Sequence, residues 1–234
     1  MTSENPTISV NPAENLKAVL ARIDAARKGA VAPAEEVRLI AVGKAHGPER
    51  ILPVLEAGHR IFGENRVQEA KAKWPELQAR FAQVELHLIG PLQTNKVREA
   101  VQLFDCIHSL DRLRLAEALK GELEKTGKRL TLFVEVNIGE EAQKAGIAPK
   151  ETAAFVRHCR DVLMLPVAGL MCIPPADEEP ALHFALLRKL ARECGLSYLS
   201  MGMSEDFETA IRFGATSVRV GSAVFGARDG GTTP

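Results

Sequence analysis

The sequence carries no excess of charge: thirty basic and thirty acidic residues cancel to a formal charge of zero in a chain of 234 residues. No block of like charge stands out, so nothing electrostatic points to nucleic acid or to an anionic membrane as a partner. Long apolar runs are also missing. Stretches such as Leu39 to Val42 and Leu130 to Val136 are far too short to span a bilayer, and the start "MTSENPTISV" lacks both a basic opening and an apolar core. These absences lead us to expect a soluble, cytoplasmic protein. The four cysteines, Cys106, Cys159, Cys172 and Cys194, form no C-x-x-C pair, and the six histidines show no H-E-x-x-H spacing. Reduced, mostly buried thiols and no metal are expected. Nucleotide and hydrolase motifs fail as well. No G-x-G-x-x-G follows a strand, the glycines of "GELEKTGK" lie one residue too far apart for a P-loop, and no G-x-S-x-G is present.

What the chain does contain is alternation. A first amphipathic helix is marked by Asn11, Pro12 and Glu14, then by Leu16, Val19, Leu20 and Ile23 at helical spacing until Gly29. After it, eight short apolar runs alternate with helical stretches: Arg38 to Val42, Arg60 to Phe62, Glu85 to Ile89, Cys106 to Ser109, Leu130 to Asn137, Leu165 to Leu170, Leu196 to Ser200 and Ser217 to Val220. Apolar strands joined by helices make a parallel sheet covered on its faces. Eight units in this length fit an α/β fold of the (β/α)₈ TIM-type barrel, with an extra N-terminal helix, better than an open doubly wound sheet. Pro53 conflicts with the first crossover helix, which is expected to begin late or to kink there. One domain over residues 1–234 is expected, with residues 1–9 and 229–234 as loose ends.

In such a barrel the active site lies at the C-terminal ends of the strands. The residues found there are Lys44, Glu64, Asn65, His87, Ser109, Asn137, Met171, Ser200 and Arg219. Lys44 follows "LIAVG", and an amine partly desolvated at that rim loses its proton more easily, as imine formation requires. On position alone, a snorkelling lysine at a strand end is the simpler reading. The loops "LSMGMSEDFETAIRFG" and "VRVGSAVFG" supply Gly202 and Gly221 for close backbone approach and the hydroxyls of Ser200, Ser204 and Ser222, a set suited to a phosphate. Ser204 alone also reads as the N-cap of the next helix, whose first turn would carry Glu205 and Asp206. Arg219, flanked by valines in the last strand, needs a ligand atom or a carboxylate to be buried. His87 alternates with Leu86 and Leu88 and reads first as a satisfied core histidine, with no proton-transfer role.

The blocks "AVGKAHG", "FGENRVQE", "HLIGPLQTNK", "VNIGEEAQKAG", "GLMCIP", "LSMGMSEDFETAI" and "VRVGSAVFGAR", in that order from Arg38 to Arg228, closely resemble the pyridoxal phosphate homeostasis proteins. These are single-domain relatives of the alanine racemase barrel. The resemblance implies pyridoxal 5′-phosphate (PLP) held as a Schiff base on Lys44. It also implies phosphate contacts from Ser200, Gly202, Ser204, Gly221 and Ser222, and Arg219 directed at the pyridine ring. Asn65, His87, Asn137 and Met171 match positions lining the cofactor cavity, and Lys144 matches a second lysine associated with cofactor transfer. The lysine block departs from the usual Ser-Lys-Thr: Gly43, Lys44 and Ala45 leave two hydroxyls absent.

Kinship with alanine racemase raises a rival expectation, a weak PLP-dependent amino-acid racemase or decarboxylase. Racemases of that fold take a second acid-base group from a tyrosine in an additional β domain. The only tyrosine here, Tyr198, falls within the seventh strand candidate. An arginine at the ring nitrogen also weakens the pyridinium electron sink. We therefore expect PLP carriage without efficient turnover, PLP-dependent apo-enzymes as recipients, and a monomer or weak dimer. A phosphate-binding barrel enzyme without PLP is a third reading.

Overall fold

Asn11 opens the first helix as its sequence demands: its side chain accepts the amide of Ala13 at 3.0 Å, and α1 (Pro12–Lys28) runs to Gly29 with Glu14 in its first turn and Arg27 and Lys28 in its last. The computed structural model describes residues 11–30 and 33–226; the ends expected to be loose, 1–9 and 229–234, lie outside the described residues. Leu16, Val19 and Ile23 form the buried stripe of α1.

The strands are β1 (Arg38–Val42), β2 (Ile61–Glu64), β3 (Glu85–Leu88), β4 (Cys106–Leu110), β5 (Thr131–Val136), β6 (Val167–Cys172), β7 (Tyr198–Ser200) and β8 (Ser217–Val220). They close into one parallel barrel in chain order, with β8 returning to β1 in the register Arg38–Ser217 to Ala41–Val220. The expected (β/α)₈ architecture is the one observed. Helices α2 (Pro48–Glu56), α3 (Val67–Arg80), α4 (Val97–Leu103), α5 (Leu113–Thr126), α6 (Thr152–Arg157), α7 (Pro180–Glu193), α8 (Phe207–Arg212) and the short α9 (Ser222–Phe225) follow the strands.

Local chemistry explains where strand limits move from their expected places. Pro166 has no N–H to give a ladder, so β6 starts at Val167 rather than Leu165. The second strand runs on to Glu64, a buried acid that breaks the apolar pattern. The helix containing Pro53 starts at Pro48, not late, and continues through the proline to bury Ile51, Val54 and Leu55. Outside the barrel, α1 is fastened to α8 by Arg22, which pairs with Glu208 at 3.0 and 3.2 Å and lies 4.6 Å over the Phe207 ring.

The barrel interior is polar for part of its length. His87, His108, Ser200 and Arg219 are all buried among Phe133, Cys106 and Met171. Gly169 supplies the room: a Cβ there would lie 2.2 Å from the Tyr198 carbonyl and 2.6 Å from the Phe133 ring. Glu135, on the same side of β5 as Phe133, has its pKa pushed up to about 7 by burial and by Asp111, against a smaller opposing effect of Arg219.

Two outcomes follow from this interior. Gly169→Ala overpacks the site and should lower stability by about 3 kcal/mol, seen as a lower urea midpoint at unchanged m-value. Because Glu135 binds its proton more tightly when folded, stability is full below the unfolded pKa of about 4.5 and declines as pH rises towards about 7. Glu135→Gln should therefore stabilise the protein by about 1–3 kcal/mol at pH 8 and leave its stability at pH 4 unchanged, measured by urea denaturation at both values.

Candidate cofactor site

Lys44 stands on the turn between β1 and α2, and that turn is braced from α3. The Lys73 ammonium, 7% exposed, donates to the carbonyls of Gly43 and His46, both at 2.8 Å, and pairs with Glu64 Oε1 at 2.8 Å. Trp74 Nε1 donates to the same Glu64 oxygen at 2.9 Å, and burial pushes the Glu64 carboxyl up while Lys73 pulls it down. The Ala45 amide donates to Glu69 Oε1 at 2.5 Å. Ala45 itself has φ 61, a left-handed conformation that costs a non-glycine residue about 1–2 kcal/mol. The loop bearing Lys44 is therefore held in one shape by a buried cation rather than by its own backbone preferences. On its far side Arg50 donates to the Phe225 carbonyl, and the His46 and Phe225 rings lie 5.3 Å apart.

Lys44 opens onto a cavity of about 700 Å³ at the C-terminal rim of the barrel. Asn65, Ser204, Arg219, Gly221 and Ser222 share its wall, together with Lys144 and Asp206. Ser204 does not cap α8, which begins at Phe207 with Asp206 before it. The Ser204 hydroxyl oxygen instead accepts the amides of Gly221 at 3.3 Å and Ala223 at 3.5 Å, tying the two rim loops together. Asp206 is turned to its own loop, accepting the Met203 amide at 2.6 Å, and burial raises its pKa. Arg219 is 4% exposed, and burial pulls its guanidinium pKa down.

The remaining expected residues, Asn137, Gly202, Met171, Ser200 and His87, do not line this cavity. Asn137 folds the loop after β5: its amide donates to the Glu141 carbonyl at 2.8 Å and its oxygen accepts the Glu141 amide at 3.1 Å. That fold carries Lys144 to the wall, where it pairs with Glu141 Oε2 at 2.5 Å. Gly202 has φ 92, and a Cβ there would lie 2.6 Å from Ala210 Cβ, so its small size seats α8. Met171 packs with Cys106 and Phe133, Ser200 accepts from Arg219 Nη1 at 2.7 Å, and His87 bonds to His108.

Sequence reading missed Lys73, Glu69, Glu85 and His108. The available signal was charge inside apolar patterns: Lys73 beside Trp74, and Glu85 and His108 inside strands. Among the described residues, His87, Cys106 and His108 bring possible metal ligands within 4.8 Å of one another. Their inner imidazole nitrogens, however, are bonded to each other at 2.9 Å, and burial pushes the Cys106 thiol well above its ordinary range. The trio is a packed hydrogen-bonded pair with a neutral thiol beside it.

Comparison with known proteins agrees with this geometry. Residues 15–229 match the family described as alanine racemase, N-terminal domain. A pyridoxal phosphate homeostasis protein of Pseudomonas aeruginosa is 42% identical over 226 residues, covering 94% of this chain and 96% of that protein. PipY of Synechococcus elongatus PCC7942, solved with PLP bound, is 36% identical with a TM-score of 0.79, covering 92% of this chain and all of that one, 100%. Alanine racemase from Bartonella henselae, 15% identical with a TM-score of 0.71 over 94% of this chain and 60% of the racemase, shares the fold. No helix among the described residues is long and apolar enough to cross a membrane. With that identity spread over nearly its whole length and the barrel closed around a lysine-bearing rim, the chain belongs to the pyridoxal phosphate homeostasis protein family within the alanine racemase N-terminal fold.

Proposed function

We propose that the chain binds PLP in the rim cavity, holds it as a Schiff base on Lys44, and acts in PLP homeostasis in the cytoplasm as a carrier or buffer. One observation carries the reading: Lys44, Arg219 and the Ser204–Gly221–Ser222 cradle share the wall of one cavity of about 700 Å³. The residues present fit the cofactor. Lys44 offers an amine, the buried Arg219 offers donors to a ring nitrogen, and Ser204 and Ser222 offer hydroxyls to a phosphate. When bound, PLP supplies an electrophilic aldehyde that an amine can capture reversibly. Asn65 borders the same space, Ser200 accepts from Arg219, and Asn137 folds the loop that bears Lys144, whereas His87, Met171 and Gly202 do not line the cavity. The barrel acts as one PLP-binding domain, and PLP-dependent apo-enzymes are the recipients.

The chemistry favours holding over turnover. A two-base racemase needs a second acid-base group facing the lysine. Tyr198 begins β7 with 52% of its surface exposed and forms no part of the cavity wall. A cationic arginine at the ring nitrogen keeps that nitrogen unprotonated and the electron sink weak. A weak racemase or decarboxylase remains the second reading, supported by the shared fold.

The test is direct. Full-length protein mixed with PLP should develop the visible absorption of a PLP imine, and borohydride should fix the mass on Lys44, located by peptide mapping. A mass on Lys144, or none, overturns the assignment. The brace beneath the lysine has its own expected outcome. Lys73→Met leaves Glu64 buried without its cation and should cost about 3–5 kcal/mol. The pair Lys73→Met with Glu64→Leu should recover most of that stability in thermal unfolding, yet retain PLP less well during dialysis, because the 43–46 turn has lost its anchor.

A further inference from the structure

Arg219 is the inner end of an uninterrupted chain of side-chain hydrogen bonds through the barrel. Arg219 Nη1 lies 2.7 Å from Ser200 Oγ, Ser200 Oγ 2.9 Å from His108 Nδ1, His108 Nε2 2.9 Å from His87 Nδ1, and His87 Nε2 2.8 Å from Glu85 Oε1. Glu85 also pairs with Arg38 at the start of β1. His87, His108, Ser200 and Arg219 are at most 4% exposed, so water does not compete for the bonds among these four, while Glu85 at the outer end is partly exposed.

The direction of every bond follows from its ends together with a neutral His87. Arg219 can only donate. The Glu85 carboxylate, held down to about 2 chiefly by its bond to His87, can only accept. With a single proton, His87 carries it on Nε2, towards Glu85, and leaves Nδ1 bare. His108, kept neutral by complete burial, must then donate from Nε2 and accept at Nδ1. The one hydrogen of Ser200 goes to His108, so its oxygen is committed to accepting from Arg219. A second proton on His87 would reverse the two inner bonds and deprive the Ser200 hydroxyl of its acceptor.

We propose that Glu85, His87, His108 and Ser200 are positioning residues for Arg219: a one-way relay that fixes the guanidinium on the cavity wall as a donor to the cofactor ring nitrogen. The functional part of this inference rests on the PLP reading above. A second Arg219 nitrogen is tied to the Cys172 carbonyl at 2.9 Å, so two of its nitrogens are anchored behind the wall while the remaining N–H groups are left for the cavity. His108 is clamped flat against Phe133, ring centroids 4.5 Å apart at 6°, so the relay cannot swing.

Two measurements on the full chain test this. Long-range proton–nitrogen NMR of histidine-labelled protein at pH 7 should show His87 and His108 both neutral and both protonated at Nε2. An imidazolium or an Nδ1–H form at either residue overturns the relay, whether or not PLP binds. Spectrophotometric titration with PLP should show Ser200→Ala weakened about tenfold, the scale of one hydrogen bond to a charged group. It should also show a shifted pH midpoint of the bound chromophore. Ser200→Thr, which keeps the hydroxyl, should restore both. Equal affinity and an equal pH midpoint in Ser200→Ala and wild type would refute the positioning role. Wild-type protein that binds no PLP would sink the cofactor reading while the NMR result still decides the relay.

Discussion

The pairing of β1 with β8 is the constraint on which the site depends. Arg38 through Ala41 lie in register with Ser217 through Val220, joining segments separated by nearly the whole chain. Only this closure puts Lys44, which leaves β1, beside Gly221 and Ser222, which leave β8, and brings Ser204 across from the neighbouring loop. Parallel strands cannot be closed by tight turns, so each passage around the ring needs a helix, and the rim opposite the strand starts collects the eight loops. The cavity is a product of topology before it is a product of any one residue.

A barrel this size must be filled, and here part of the filling is ionic and imidazole rather than aliphatic. Burying such groups costs several kcal/mol each unless every donor finds an acceptor. The structure supplies chains of partners, Lys73 among two carbonyls and two carboxylates on one flank and Arg219 through the two histidines to Glu85 in the middle, and leaves Glu64 Oε2 without a hydrogen bond. Each arrangement costs stability relative to an apolar core, and in exchange it specifies one geometry. Removing one member strands its neighbour, so these residues act as sets.

Much of this was legible in the sequence, and the exceptions have physical causes. Arg38–Val42 and Ser217–Val220 were readable to the residue because each is an apolar run bounded by polar turns. Asn11 was readable because a cap acts within a few residues. The sixth strand was displaced because the apolar count ignores the missing proline amide. Lys44, Asn65, Ser204, Arg219, Gly221 and Ser222 were placed at the rim by strand-end logic, and the cavity unites them. Ser204 shows the limit of local reading: its sequence looks like a cap, but its hydroxyl serves amides that arrive after β8. The core reading of His87 was sound as far as it went, yet its partner lies on the next strand, 21 positions away, where no pattern in the chain links the two.

The dependence of the rim on the last strand also sets an order of events during synthesis. The amino half of the wall emerges from the ribosome first, with β1 an unpaired edge. The turn that bears Lys44 meets Phe225 only after all eight strands have been made. Non-local closure of this kind is slow relative to helix formation. A nascent chain therefore carries Lys44 well before it has the cavity that Lys44 opens onto.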